Sequence, residues 1–249
     1  MTDPAAPAPA PTSAAGAQKS SVFDDLVEII TSPRQVFARR ERGGFGSPFI
    51  ILTLLFGIVL FLSRPAFEPV MRAQMEKAQA QVAAQNPNLT DDQRAKATQI
   101  GETIGTVTII IGAPIAMLIL GLFVWVIGKV FGSPLNVGQG MLIATFSYVP
   151  RFLAALVLLG LSFVTDMSKV TTMAQLSISP ARFLDPASIG LPLLTVISRI
   201  DVFVLWGTAV IAIGYATIGK MSKGTAYGAA SVLWILGTAV AVMGALRAG

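Results

Sequence analysis

The sequence lacks cysteine and histidine altogether, and it has few charged residues. Without cysteine the chain forms no disulfides or thiolate metal sites, and without histidine it has no side chain that ordinarily titrates near neutrality. Zinc sites and Ser-His catalytic triads are therefore excluded. Only 12% of the 249 residues are charged, whereas soluble domains carry about 25%.

The composition that remains is typical of an integral membrane protein. Hydrophobic residues make up 53% of the chain, and the mean hydropathy is +0.70. The formal net charge of +5 is modest. Because the lysines and arginines are scattered along the chain rather than gathered on one face, we expect no nucleic-acid binding.

Five apolar stretches follow one another in the second part of the chain. Residues 103–128 are uncharged. At about 1.5 Å per residue, this stretch is long enough for a tilted helix to cross a bilayer. A barrel would show strict alternation instead. The pattern predicts an all-α, polytopic membrane bundle over residues 47–249, with five transmembrane helices at about 47–63, 103–128, 138–165, 191–219 and 225–246.

The N-terminal part has a different character. Residues 1–19 are rich in proline and alanine and predict a disordered tail. Residues 20–46 predict short amphipathic helices on the cytoplasmic side. The segment SSVFDDLVEII repeats apolar residues at helical spacing and has an acidic opposite face, and Ser32-Pro33 starts a second helix. The first helix is expected to lie at the membrane surface or to dock on the bundle.

The polar segment between the first two spans also predicts helices. Residues 68–85 are rich in Ala, Gln, Glu and Lys, and Asn86-Pro87 ends that pattern. Thr90 or Asp91 is then expected to cap a helix that continues into the second span.

Several glycines are spaced as GxxxG pairs, which permit close helix approach. We expect packing at three such pairs, Gly101/Gly105, Gly128/Gly132 and Gly224/Gly228.

Ionisable residues interrupt two of the apolar stretches. Arg199 and Asp201 lie in the fourth, and Pro150-Arg151 in the third. An ionised group at mid-bilayer costs about 2.5–3.5 kcal/mol on insertion scales. By helical rise, Arg151 and Asp201 lie roughly 21 Å and 16 Å from the outer end of their spans. We therefore expect an ion pair between them, and Arg199 on a different helical face.

This polar layer has two interpretations. As a structural feature, the pair locks the bundle. As a functional one, it is a substrate or proton site at a helix break, since Pro150 disrupts the third helix beside Arg151. The sequence holds none of the nucleotide, zinc or nucleophile-elbow motifs. We therefore predict a non-enzyme, with no catalytic residues, cofactor or metal.

Lysines and arginines near the span ends favour one orientation. Arginines precede the first span, and Lys220 and Lys223 flank Met221-Ser222. These are the best-placed cations, although the two sides hold equal totals. The positive-inside rule then predicts a cytoplasmic N-terminus and an external C-terminus.

Four segments resemble the Yip family of Ypt/Rab-interacting membrane proteins, in its bacterial form. They are SPRQVF at 32–37, FSYVPRFL at 146–153, RIDVFVLWGTAVIAIGYA at 199–216 and MSKGTA at 221–226. The resemblance covers roughly residues 30–246 and implies five spans with the same orientation, in a bacterial inner membrane. The Asp-Leu-Tyr-Gly-Pro signature of eukaryotic members is absent, so their role in Rab-dependent vesicle traffic is not carried over.

Two functions are consistent with these features. The first is a scaffold or adaptor that binds membrane partners or organises lipid, with its N-terminal helices as the cytoplasmic contact. The second is a small permease or channel subunit that uses the layer of Arg151 and Asp201. The expected partners are the lipid bilayer and another membrane protein or a second copy of the chain.

Overall fold

The computed structural model describes residues 20–85, 90–170, 173–184 and 186–248. Within these ranges the regular elements are all helices, which confirms the predicted fold class. The predicted disordered tail, residues 1–19, lies outside the described residues.

Two short helices precede the bundle, as predicted. Helix α1 is Val22–Glu28, and α2 is Pro33–Arg40. Ser21 caps α1 through a capping box with Asp24, in which each side chain accepts a hydrogen bond from the other residue's backbone N–H. Pro33 starts α2 at a position where a missing N–H costs nothing.

Two long helices follow and form an antiparallel pair. Helix α3 is Gly46–Gln85 and α4 is Asp91–Val130, each about 60 Å long. Their membrane-compatible parts are Gly46–Ala73 and Ile111–Val130. The first predicted span, about 47–63, is part of a longer helix, because α3 continues through Pro65 and Pro69. The predicted cap at Thr90 is confirmed, with Gln93 completing a capping box.

The third predicted span is a pair of helices that continue one another. Helix α5 is Val137–Ser147, and α6 is Val149–Ser162. The interruption falls at Tyr148, two residues before Pro150, which confirms the predicted disruption. Proline is accepted there because it lies in the first turn of α6. Three short 3-10 turns and helix α7, Pro186–Ile189, then lead to the next span.

The fourth predicted span is also broken, contrary to the expectation of one helix over 191–219. Helix α8 is Leu191–Ser198 and α9 is Val202–Thr217, and their axes are bent by 55°. The last helix, α10, is Lys223–Ala248. By length and composition, four segments in the described ranges are able to cross a membrane, or five if α8 and α9 form one span.

Helix α5 lies at the centre of the bundle, and every residue from 140 to 147 is buried. Glycines let its neighbours approach closely. A Cβ added to Gly207 of α9 would lie 2.8 Å from the carbonyl oxygen of Ser147, and one at Gly214 would lie 2.8 Å from side-chain carbons of Ile143. These contacts fix α9 directly against α5.

The predicted GxxxG positions behave differently. A Cβ added at either glycine of two pairs, Gly101/Gly105 and Gly224/Gly228, would meet nothing within 4 Å, so the packing expected there is absent within the described residues. In the third pair, an added Cβ on Gly128 would lie 3.1 Å from Leu135, while Gly132 takes a positive φ of 76° in a turn.

The bundle has two distinct ends. The end that holds α1 and α2, called here the N-terminal end, also holds the α4–α5 and α9–α10 connections. The Ser133 hydroxyl donates to the Gly219 carbonyl at 2.8 Å and joins the two connections. Lys220 binds Glu41, the residue that follows α2, and joins them to the helices α1 and α2. At the opposite, far end, a small second core joins α3 to the segment after α6. It consists of Val70, Met167, Val170 and Leu176.

Candidate functional site

The two helix breaks lie beside one another in the bundle. The α5–α6 break and the α8–α9 break border one cavity of about 500 Å³. Arg151 and Asp201 both line this cavity, so the structure brings these two predicted residues together. Pro150 is buried beside them at the start of α6. Arg199 is not among the lining residues.

Asp201 is buried, and its carboxylate caps helix α9. One oxygen accepts hydrogen bonds from the backbone N–H groups of Phe203 at 2.9 Å and Val204 at 3.3 Å. The other accepts from the N–H of Ile178, at 3.2 Å, in the far-end segment. Three backbone donors therefore stabilise this charge, and the helix N-terminus adds its dipole.

The predicted ion pair between Arg151 and Asp201 is wrong, because no such contact joins these two described residues. The guanidinium carbon of Arg151 instead lies 5.2 Å from the centre of the Tyr148 ring, in a cation–π arrangement. Each group has other partners, because backbone N–H groups donate to both Asp201 oxygens and Arg151 stacks on Tyr148. Arg151 remains exposed at the cavity.

Arg199 points toward α10 rather than toward the cavity. Its Nε donates to the Thr238 hydroxyl at 3.4 Å, and its carbonyl accepts from the indole N–H of Trp234 at 3.3 Å. These hydrogen bonds give partners to backbone and side-chain polar groups that the helix break leaves without helical partners.

The rest of the cavity wall is mostly apolar and combines large side chains with small ones. Within the part of the chain that the structure describes, no three acidic, histidine or cysteine side chains gather as a metal site. The wall residues come from α3, α4, α6, α9 and the segment after α6, and they include Phe56, Gly112, Ala113, Ala116, Ala155 and Leu158. A cation at the edge of such a pocket favours an anion that carries an apolar part.

A second charged cluster lies at the N-terminal end and was not predicted. The Asp25 side chain is fully buried and accepts hydrogen bonds from the Ser20 hydroxyl at 2.8 Å and from Arg39 Nε at 3.0 Å. Arg40 Nε binds its other oxygen. Arg39 also binds Glu28. Its hydrogen bonds raise the pKa of Arg39, the bond to Glu28 more than the bond to Asp25.

The N-terminal hairpin of α1 and α2 is fixed to the bundle by apolar and polar contacts. Phe37 is fully buried, and its ring meets that of Phe146 edge-on at 5.9 Å. Lys220 binds the Glu41 carboxylate at 2.7 Å, and Gln139 donates to the Glu41 carbonyl at 3.2 Å. The structure therefore favours docking on the bundle, the second of the two placements left open by the sequence.

A signal for this cluster exists in the sequence. Acidic residues occupy one face of α1, and Arg39 and Arg40 end α2. Two short helices joined by a tight connection pack antiparallel, which brings the opposite charges together. The exposed capping residue Asp24 is separate from this cluster, and its pKa is lowered mainly by the hydrogen bond from the Ser21 backbone N–H.

Comparison with known proteins gives one match. A family model described as the Yip1 domain matches residues 27–244. The match begins within α1 and ends within α10, so it includes the last two residues of α1, all of α2 and the cavity. No curated protein and no solved structure matches the chain.

Proposed function

Because the chain belongs to the Yip1 domain family, a family of multi-pass membrane proteins, we propose that it is a non-enzymatic scaffold or adaptor. In this proposal the N-terminal hairpin is the contact surface, and its partner is another membrane protein or a second copy of the chain. The observation that carries the proposal is the rigid presentation of this hairpin, through buried Asp25 and Phe37.

The hairpin presents apolar side chains on its outer face. Phe23 and Val27 are 59% and 68% exposed, and they lie one turn apart on α1. The charged residues that face inward are already paired with one another. Buried ion pairs hold α1 on the bundle. An apolar pair on a helix held in this way is suited to bind a second helix, because little conformational entropy is lost on binding.

We further propose that the protein lies in a bacterial inner membrane with the N-terminal end in the cytoplasm. Unpaired cations at that end support this orientation under the positive-inside rule. Exposed Arg34 precedes the first span, and Lys223 begins α10.

Affinity purification from native membranes tests the adaptor function. We expect a partner, identified by mass spectrometry, to be lost when Phe23 and Val27 are both changed to serine. The matched control is Phe183→Ser, because Phe183 is 85% exposed at the far end. Equal recovery from both variants would refute the proposed contact surface. In-membrane crosslinking separates a second copy of the chain from a different protein.

A second candidate function, a small permease or channel subunit, is favoured by the cavity that Arg151 and Asp201 share. In the present conformation buried α5 closes the bundle between this cavity and the N-terminal end. A solute or proton flux into liposomes that Asp201→Asn abolishes would support the permease. Unchanged flux together with a co-purified partner would support the adaptor.

A further inference from the structure

We propose that the cavity beside Arg151 binds the phosphate of an anionic phospholipid from the membrane leaflet at the far end. The site joins an exposed guanidinium to a pocket with apolar walls, between α4, α6 and α9. This ligand is additional to the protein partner proposed for α1.

The charge balance of the site is the first argument. Among the described residues of the cavity wall, Arg151 is the one basic side chain and Asp201 the one acidic side chain. Three backbone N–H groups and the positive N-terminus of α9 offset part of the Asp201 charge. The layer therefore keeps a positive excess in a medium of low dielectric constant, where an anion is strongly favoured.

The free donors of Arg151 are the second argument. Among the described residues, the contact recorded for its guanidinium is the Tyr148 ring, which takes up none of the in-plane N–H groups. A guanidinium presents these groups as a planar fork that matches two phosphate oxygens. Stacking on Tyr148 orients the fork, which lowers the entropy cost of binding.

The depth and the walls of the cavity favour a lipid over a free ion. Arg151 lies 14 residues beyond Val137, about 20 Å along the helix, in the outer half of a hydrocarbon layer about 30 Å thick. Gly112, Ala113 and Ala116 of α4 line the cavity with Arg151, and their small side chains leave room for an acyl chain.

The test compares lipids added to the full-length protein in zwitterionic micelles. We expect phosphatidylglycerol to raise the thermal unfolding midpoint with saturation, whereas phosphatidylcholine does not. Arg151→Gln should weaken the apparent affinity about tenfold or more, as expected for loss of a charged hydrogen-bonding partner. Arg151→Lys should weaken it less, because the charge remains.

The matched control is Arg182→Gln, which removes an exposed far-end arginine outside the cavity and should leave binding unchanged. Equal responses to the two lipids, or equal effects of Arg151→Gln and Arg182→Gln, would overturn the proposal. A response to inorganic phosphate alone that matches the lipid response would also overturn it, in favour of a free-anion site. If a variant fails to fold, the comparison of the two lipids on the unmodified chain still tests the proposal. None of these outcomes depends on the capture of a protein partner through α1.

Discussion

At the scale of single residues, Gly207 holds the most crowded contact between α9 and the α5–α6 break. We expect Gly207→Ala to destabilise the protein by about 1–3 kcal/mol, because the new Cβ would lie 2.8 Å from a backbone oxygen that is unable to move freely. Unfolding in mixed micelles measures the change. The control is Gly228→Ala, where the Cβ meets nothing within 4 Å, and an equal loss there would contradict the assignment.

Sequence spacing alone did not identify Gly207. GxxxG spacing shows that two glycines share a helix face, but it does not show whether that face meets another backbone. At Gly224 and Gly228 the face is open, whereas at Gly207 and Gly214 a backbone oxygen or a buried Ile143 lies directly opposite. Tertiary packing, which spacing does not contain, decides between these cases.

Asp201 yields a second residue-scale prediction. Because its carboxylate acts as a helix cap, Asp201→Asn should retain most of the stability, whereas Asp201→Ala should lose about 1 kcal/mol. Unfolding midpoints of the two variants measure the difference.

An ion pair with Arg151 would give another pattern. Losing the pair makes Asp201→Asn as harmful as Asp201→Ala, and makes the losses of Arg151→Gln and Asp201→Asn non-additive in the double variant. Additive losses are expected here. Strong coupling would restore the ion pair that the sequence favoured.

At the scale of elements, the N-terminal hairpin depends on one aromatic anchor. Phe37→Ala removes a fully buried ring and its edge contact with Phe146, which should cost about 3–5 kcal/mol. Because this energy holds α2 on the bundle, we expect faster tryptic cleavage at the arginines of residues 39–42. Time-resolved proteolysis of the protein in micelles measures the cleavage rate.

The comparison variant for the hairpin is Phe23→Ala on α1. Phe23 is largely exposed, so its removal should leave the cleavage rate unchanged. Equal acceleration in the two variants would show that the hairpin is held by other contacts, such as the Glu41–Lys220 pair.

Elements were predicted well where the bilayer dictates them and poorly where packing does. Long uncharged stretches must be helical in lipid, so the existence of the membrane helices was predictable, and so was the interruption near Pro150. The α8–α9 break was not predicted, because the hydropathy of residues 191–219 is high enough for one span despite Arg199 and Asp201. An aspartate ahead of an apolar run is also a helix start, and the structure uses it that way.

At the scale of the whole molecule, the two ends of the bundle differ in construction. The N-terminal end is closed by a hairpin whose charges pair internally and whose Glu41 binds the α9–α10 connection. The far end carries the extensions of α3 and α4 and the small second core, and Leu176 of that core also lines the cavity. The two proposed binding sites, for a partner at the N-terminal hairpin and for a phospholipid at the cavity, therefore lie on differently built parts of the bundle.

The absence of cysteine makes this asymmetry directly testable, because any single introduced thiol is unique. Gly44→Cys and Gly224→Cys mark the N-terminal end at sites with open space, and Ala84→Cys and Phe183→Cys mark exposed positions at the far end. A membrane-impermeant maleimide added to intact host cells should label the far-end pair and should label the N-terminal pair only after lysis. The unmodified chain controls for background.

Each labelling pattern has a distinct meaning. Because α9 and α10 are joined at the N-terminal end, Gly224→Cys and Phe183→Cys should react on opposite sides whenever α8 and α9 together cross the bilayer. Labelling of both from one side would reduce the crossings to four and make the bent pair re-entrant. Labelling of the N-terminal pair alone in intact cells would keep five crossings and invert the orientation, which would place the hairpin outside and remove the basis for a cytoplasmic partner.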